Sequence, residues 1–102
     1  MIEGMEQFVG KKLKESALQY KHHEMHGDGY YIITRPTFYS DAIHINMEIH
    51  FNEDRIITNF SGDKCYSIYR GMYNRSSNVY PRQFTKRDIQ YLRKFVRENI
   101  EE

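Results

Sequence analysis

The stretch AIHINMEIHF, residues 42–51, alternates apolar and polar side chains over most of its length. The apolar positions are Ile43, Ile45, Met47, Ile49 and Phe51, and the polar positions between them are His44, Asn46, Glu48 and His50. In an extended chain, successive side chains point to opposite faces, so a period of two places each set on its own face. The pattern therefore predicts a β-strand with one buried face and one solvated face.

Shorter segments around this strand predict further antiparallel strands, separated by residues that favour turns. The predicted strands are YYIITRP (30–36), RIITNF (55–60) and CYSIYR (65–70), and the predicted tight turns are NED (52–54) and SGDK (61–64). Sequential antiparallel strands commonly pack one face on the core and leave the other in water. We expect an antiparallel sheet of four strands, or five, in meander order.

Apolar residues at helical spacing predict one helix at each end of the chain. The first spans residues 3–24, and its apolar positions are Met5, Phe8, Val9, Leu13, Ala17 and Tyr20. The second follows Thr85 and Asp88, which have the spacing of a capping box, and its stripe is Ile89, Leu92, Val96 and Ile100. Both helices are expected to pack on the apolar face of the sheet, so residues 1–102 form a single α+β domain.

Composition limits the class of protein. A chain of 102 residues buries roughly 60–65% of its unfolded surface, which suffices for one core without disulfides. Cys65 is the only cysteine, so no intrachain disulfide can form. No apolar run is long enough to cross a bilayer, and the acidic start MIEGMEQF does not resemble a signal peptide. These features predict a cytosolic protein without a membrane partner.

Charge is separated along the chain although the net charge is only +1. Residues 22–63 contain two basic and seven acidic residues, a local charge of −5. Residues 64–97 contain nine basic residues and one acidic residue, a local charge of +8. A polarised domain of this kind attracts a charged partner despite its nearly neutral total.

The basic part includes YRGMYNRSSNVYPRQFTKR, residues 69–87, which interleaves aromatic and basic side chains and has no acidic residue. Basic side chains neutralise phosphates, and tyrosines stack on bases or guanidinium groups. Lys86, Arg93 and Arg97 are spaced to form one exposed ridge on the last helix. The predicted partner-binding residues are Arg70, Tyr73, Arg75, Tyr80, Arg82, Lys86, Arg93 and Arg97.

The leading functional hypothesis is a small non-enzymatic binding protein that acts on nucleic acid or on a nucleic-acid-binding protein. The acidic residues 22–63 allow the reverse arrangement, in which they imitate nucleic acid and occupy a basic groove of a protein. A domain with strong charge polarity and no catalytic motif suits an inhibitor of a host nuclease or defence system. Such an inhibitor would be of the anti-restriction or anti-CRISPR type, encoded by a phage or prophage.

The segment HHEMHGD, residues 22–28, suggests an alternative function. In the predicted helix, His22 and His26 lie one turn apart and could bind a metal, although two ligands are a weak signal. The polar face of the central strand and Cys65 are further candidates for acid–base or nucleophilic chemistry. No catalytic motif is present, so we expect no enzyme and no cofactor. The alternatives are a metal-dependent or histidine-based enzyme at His22 and His26, and a homodimeric interaction module.

Overall fold

The computed structural model describes residues 1–23, 29–68 and 78–101, with side chains for residues 1–20, 29–67 and 80–101. Within these ranges there are two short 3₁₀ helices, five strands and one α-helix. The 3₁₀ helices are Glu6–Phe8 and Glu15–Tyr20, the strands are β1 (Lys21–His23), β2 (Tyr30–Thr34), β3 (Ile43–Phe51), β4 (Ile57–Ile68) and β5 (Asn78–Pro81), and the α-helix is α1 (Lys86–Asn99). The strands form one antiparallel sheet in the order β1-β2-β3-β4-β5, so the α+β class is confirmed.

The alternating stretch forms β3 at the centre of the sheet, as predicted. Ile45, Met47, Ile49 and Phe51 are buried, whereas the polar residues between them are half-buried or exposed. The apolar face packs against α1, whose Leu92 and Val96 belong to the same core. Because a strand and a helix each present one apolar side, stacking them removes both sides from water.

The predicted turn after β3 is also present, and a side chain stabilises it. The Asn52 side-chain oxygen accepts hydrogen bonds from the backbone N–H groups of Asp54, at 2.9 Å, and Ile56, at 3.0 Å. Arg55 adopts a positive φ of 64° within this turn. The side chain of Asn52 thus satisfies backbone donors that a tight turn leaves without strand partners.

The predicted turn at residues 61–64 is wrong, because β4 runs without interruption from Ile57 to Ile68. Gly62 lies inside this strand, opposite Met47 of β3. A Cβ atom at Gly62 would lie 2.2 Å from the carbonyl oxygen of Asn46 and 3.1 Å from Cα of Met47. The glycine therefore marks a close approach of two backbones within a sheet, not a change of chain direction.

We expect Gly62→Ala to destabilise the protein by about 1–3 kcal/mol, since the added methyl group would push β3 and β4 apart or strain the backbone. Gly10→Ala is the comparison variant, because Gly10 also has a positive φ, 92°, but has open space around its missing Cβ. Urea unfolding of the two variants separates the steric cost of the close approach from the cost of backbone conformation alone. Equal losses for the two variants would contradict the close-approach explanation.

The predicted N-terminal helix over residues 3–24 is also wrong. Its backbone instead bonds to other elements: Gly10 N–H donates to the Ile57 carbonyl, and Leu13 N–H donates to the Arg55 carbonyl. Gly4 and Gly10 both adopt φ of 92°, which is incompatible with a continuous right-handed helix. Four of the predicted apolar positions are nevertheless buried, namely Met5, Phe8, Leu13 and Ala17.

Two strands are absent from the sequence prediction: β1 lies within the predicted first helix, and β5 lies in the connection before α1. Strand β5 pairs with the end of β4, with Tyr66 opposite Tyr80. The predicted capping box of α1 is confirmed, since the Thr85 side chain accepts from Asp88 N–H and the Asp88 side chain accepts from Thr85 N–H. In the described part of the chain, no helix has the length and apolarity needed to cross a membrane.

Candidate anion-binding groove

An open groove with a volume of about 920 Å³ lies beside the N-terminal half of α1. Its walls are residues 1–4, the middle of β4, residues 82–86 and one side of α1. We call it the β4–α1 groove. Its size falls within the range of pockets that hold small molecules or short segments of a partner.

Three of the predicted partner-binding residues, Arg82, Lys86 and Arg93, line the β4–α1 groove. Arg82 and Lys86 are exposed, and Arg93 is half-buried. Lys86 and Arg93 are seven residues apart on α1, a spacing that places both on the same side of the helix. The structure thus brings together basic side chains from two segments of the chain around one concave surface, whose lining also includes the acidic residues Glu3 and Asp63.

Arg93 is held in place without all its donors being used. Its Nη2 atom donates to Oε1 of Gln7 over 3.3 Å. Its Nε atom is buried and has no hydrogen-bond partner among the described residues. A buried guanidinium donor without a partner carries a desolvation cost.

Aromatic side chains adjoin the basic end of the groove. The Arg82 guanidinium carbon lies 5.7 Å from the ring centroid of Tyr66. The Tyr66 and Tyr80 rings are 6.5 Å apart, and Tyr80 is 44% exposed. Arg82 therefore joins the groove to an exposed tyrosine surface that can stack on a planar group.

A fourth basic residue, Lys64, lines the groove but is already neutralised. Its Nζ atom donates to Oδ2 of Asp88 and to the Tyr39 hydroxyl, each over 2.8 Å. The Tyr39 hydroxyl donates to the other oxygen of Asp88. The Lys64 and Asp88 side chains are 5% and 0% exposed, so this ion pair joins β4 to α1 inside the protein.

The hydrogen bonds of this pair determine the pKa of both partners. Burial by itself would lower the pKa of Lys64, but the bonds to Asp88 and Tyr39 outweigh burial and raise that pKa. Burial by itself would raise the pKa of Asp88, but bonds from Lys64, Tyr39 and Thr85 outweigh it and lower that pKa. Both groups are therefore charged at neutral pH, and Lys64 adds no net charge to the groove.

The remaining predicted partner-binding residues are not all placed at the groove. Arg70, Tyr73 and Arg75 lie outside the described residues. Arg97 is exposed but does not line the groove, and its guanidinium carbon lies 6.0 Å from the ring centroid of Phe8. The predicted ridge of Lys86, Arg93 and Arg97 is consequently divided, because Arg93 is half-buried against Gln7.

The weak metal candidates were derived from a helix that does not form. The backbone of His22 belongs to β1, so helical spacing does not relate it to His26. His26 itself lies outside the described residues. Across residues 1–20, 29–67 and 80–101, no group of three or more His, Cys, Asp or Glu residues is arranged to hold a metal ion.

The uncovered face of the sheet contains a small polar cluster of Glu48, His50 and Ser61. The His50 Nε2 atom is 2.8 Å from Oγ of Ser61 and 3.1 Å from Oε1 of Glu48. In a catalytic triad, the nucleophile and the acid bind different ring nitrogens of the histidine. One nitrogen accepts the proton of the nucleophile, while the acid at the other nitrogen orients the ring. Here both contact the same nitrogen, an arrangement that orders the strand face but does not activate Ser61.

Sequence reasoning missed the role of Lys64, Tyr39 and Gln7 near the groove. Asp88 was the single acidic residue within the basic segment, and that isolation was a signal that it has a buried cationic partner.

Comparison of the chain with protein-family models, with curated proteins and with solved structures gave no match.

Proposed function

We propose that the protein is a small non-enzymatic binding protein that acts in the cytosol on nucleic acid or on a nucleic-acid-handling protein. The observation that supports this most directly is the convergence of Arg82, Lys86 and Arg93 on one open groove. Convergent guanidinium and ammonium groups bind phosphate or carboxylate oxygens through charge-assisted hydrogen bonds.

Aromatic residues beside the groove support the same proposal. Tyr80 is exposed next to Tyr66 and Arg82. Proteins that bind single-stranded nucleic acids combine basic side chains with adjacent aromatic rings. The cations contact the phosphates, and the bases stack on the rings. The same combination is enriched at protein interfaces, where tyrosine and arginine supply most of the binding free energy.

The biological role that we propose is inhibition of a host nuclease or defence system, of the anti-restriction or anti-CRISPR type. Two features support it: the opposite local charges of residues 22–63 and 64–97, and the lack of any recognised catalytic motif. An inhibitor needs only to occupy a charged surface of its target, and a small polarised domain does so without chemistry.

The proposal is tested with the double variant Arg82→Glu and Lys86→Glu, used as bait in a pull-down from the host with and without nuclease. Both side chains are exposed, so the melting temperature should stay nearly unchanged while the partner is lost. Lys11→Glu with Lys94→Glu is the matched control, because both lysines are exposed and lie outside the groove. For a nucleic-acid partner, the logarithm of affinity should fall with the logarithm of salt by about 0.7–0.9 per phosphate neutralised.

Normal partner recovery by the groove variant would contradict the proposal. If Glu53→Lys with Asp54→Lys abolishes recovery instead, the acidic surface is the one that works, as in mimicry of nucleic acid. Both of these residues are exposed in the turn after β3, so the exchange tests charge without disturbing the core.

A further inference from the structure

The floor of the β4–α1 groove is a gap in the edge of the sheet. On the side of β4 away from β3, Ile2 N–H donates to the Phe60 carbonyl and Arg82 N–H donates to the Lys64 carbonyl, each over 2.9 Å. Gly62 lies midway between these two contacts and is exposed, although it is inside a strand of 12 residues. The edge is thus covered on both sides of Gly62 but not at Gly62.

The backbone of Gly62 faces this gap. Along an antiparallel strand, the N–H and C=O of alternate residues point to the same neighbour. Because the carbonyls of Phe60 and Lys64 point away from β3, the N–H and C=O of Gly62, two residues from each, also point away from β3. Among the described residues, no group bonds to these outward atoms.

The N–H and C=O of Gly62 lie side by side, so they can form a pair of hydrogen bonds with one residue of another extended polypeptide. A peptide residue opposite Gly62 would receive one hydrogen bond and give one, as in strand addition. Phosphate oxygens only accept, so they would match the N–H of Gly62 and leave its carbonyl facing an anion. With no side chain at Gly62, nothing covers these backbone groups.

The walls of the gap limit the length and the charge of the occupant. Phe60 and Lys64 are separated by roughly 13 Å of extended chain, so only a short segment can pair between the contacts from Ile2 and Arg82. Ile2, Phe84 and Ile89 offer apolar surface. Arg82, Lys86 and Arg93 supply three positive charges and Glu3 and Asp63 two negative ones, while Lys64 is paired with Asp88. The lining thus keeps a small positive surplus, which favours acidic side chains near the three basic residues.

We infer that the β4–α1 groove binds a short acidic peptide segment of a protein partner, which pairs through its backbone with Gly62 at the open edge of β4. This inference rests on the proposed function and identifies the partner at that groove as a protein. The acidic side chains of the segment contact the three basic residues, and its backbone supplies the two hydrogen bonds at Gly62.

The test is a titration of the full-length ¹⁵N-labelled protein with capped pentapeptides, followed by amide shifts. The first peptide has a central valine between two pairs of glutamates, and the second is identical except for an N-methyl group on that valine. The first should shift the Gly62 amide and slow its hydrogen exchange. The second keeps every charge but lacks the backbone donor, so it should bind about tenfold more weakly or worse. A peptide with lysines in place of the glutamates should not bind.

Equal binding of the two glutamate peptides, or no binding of either, overturns the inference. A parallel titration with oligothymidylate distinguishes the two levels of the proposal. If oligothymidylate alone binds, and the Arg82→Glu with Lys86→Glu variant loses that binding, the groove is the binding surface but its partner is nucleic acid. If that variant still recovers the host partner normally, the proposed function fails as well.

Discussion

Replacing Lys64 with methionine is expected to lower the free energy of unfolding by about 3–5 kcal/mol. The variant would leave the Asp88 carboxylate, which is fully buried, without the cation that lies 2.8 Å away. A buried charge without its partner is among the costliest defects that a single substitution creates. Chemical denaturation monitored by tyrosine fluorescence or circular dichroism measures the loss.

Lys86→Met is the matched control for this variant. It makes the same change at an exposed lysine on α1, the helix that carries Asp88, where we expect a change within about 0.5 kcal/mol. Adding Asp88→Asn to Lys64→Met should recover part of the lost stability, because the buried charge is removed along with its partner. A loss below about 1 kcal/mol for Lys64→Met would show that the pair is not buried as described.

The same pair predicts how stability depends on pH. Asp88 has a pKa below its usual 3.8 in the folded protein, so its contribution is present above that value and is lost as pH falls through the folded pKa. Lys64 has a pKa above its usual 10.5, so its contribution is present below that value and is lost as pH rises through the folded pKa. In urea titrations across the acid range, Asp88→Asn should therefore show a smaller loss of stability than the wild type.

Ile49→Ala is expected to cost about 2–5 kcal/mol, because it leaves a cavity in the centre of the sheet. Ile49 has no exposed surface and pairs with β2 and β4 on either side, opposite Ile32 and Phe60. The surrounding backbone belongs to three hydrogen-bonded strands, so it can collapse only partly into the space that the substitution opens.

His44→Ala is the control for this prediction, since His44 lies on the same strand and is exposed. We expect it to change stability by less than about 0.5 kcal/mol. Denaturant midpoints of the two variants compare the two faces of β3 directly. Similar losses for both would mean that the face opposite α1 is also covered, for instance by a second copy of the chain.

Local patterns in the sequence predicted the elements that a short segment specifies by its own side chains. β3, the turn at Asn52 and the capping box of Thr85 and Asp88 all formed where predicted. In the turn and the cap, one side chain satisfies nearby backbone groups. In β3, strict alternation places the apolar side chains on one face, whichever strands pair with it.

The errors occurred where distant parts of the chain compete for the backbone. Residues 10–13 belong to a helical pattern, yet the N–H groups of Gly10 and Leu13 bond to residues 57 and 55. Gly10 also adopts a conformation outside the helical region. Glycine is a residue typical of turns, yet at Gly62 the backbone of β3 passes so close that only glycine fits. Local propensities are worth less than about 1 kcal/mol per residue, so tertiary contacts override them.

The sequence by itself determined most of the buried apolar positions and that positive charge gathers in residues 64–97, because hydrophobic periodicity and charge are properties of the residues themselves. Only the tertiary structure decided which charges remain available to a partner. It pairs Lys64 with Asp88 in the interior and gathers Arg82, Lys86 and Arg93 around one groove. The reason is physical: a charge is neutralised or presented according to what lies within a few ångströms of it, and residues 24 positions apart come that close only after folding.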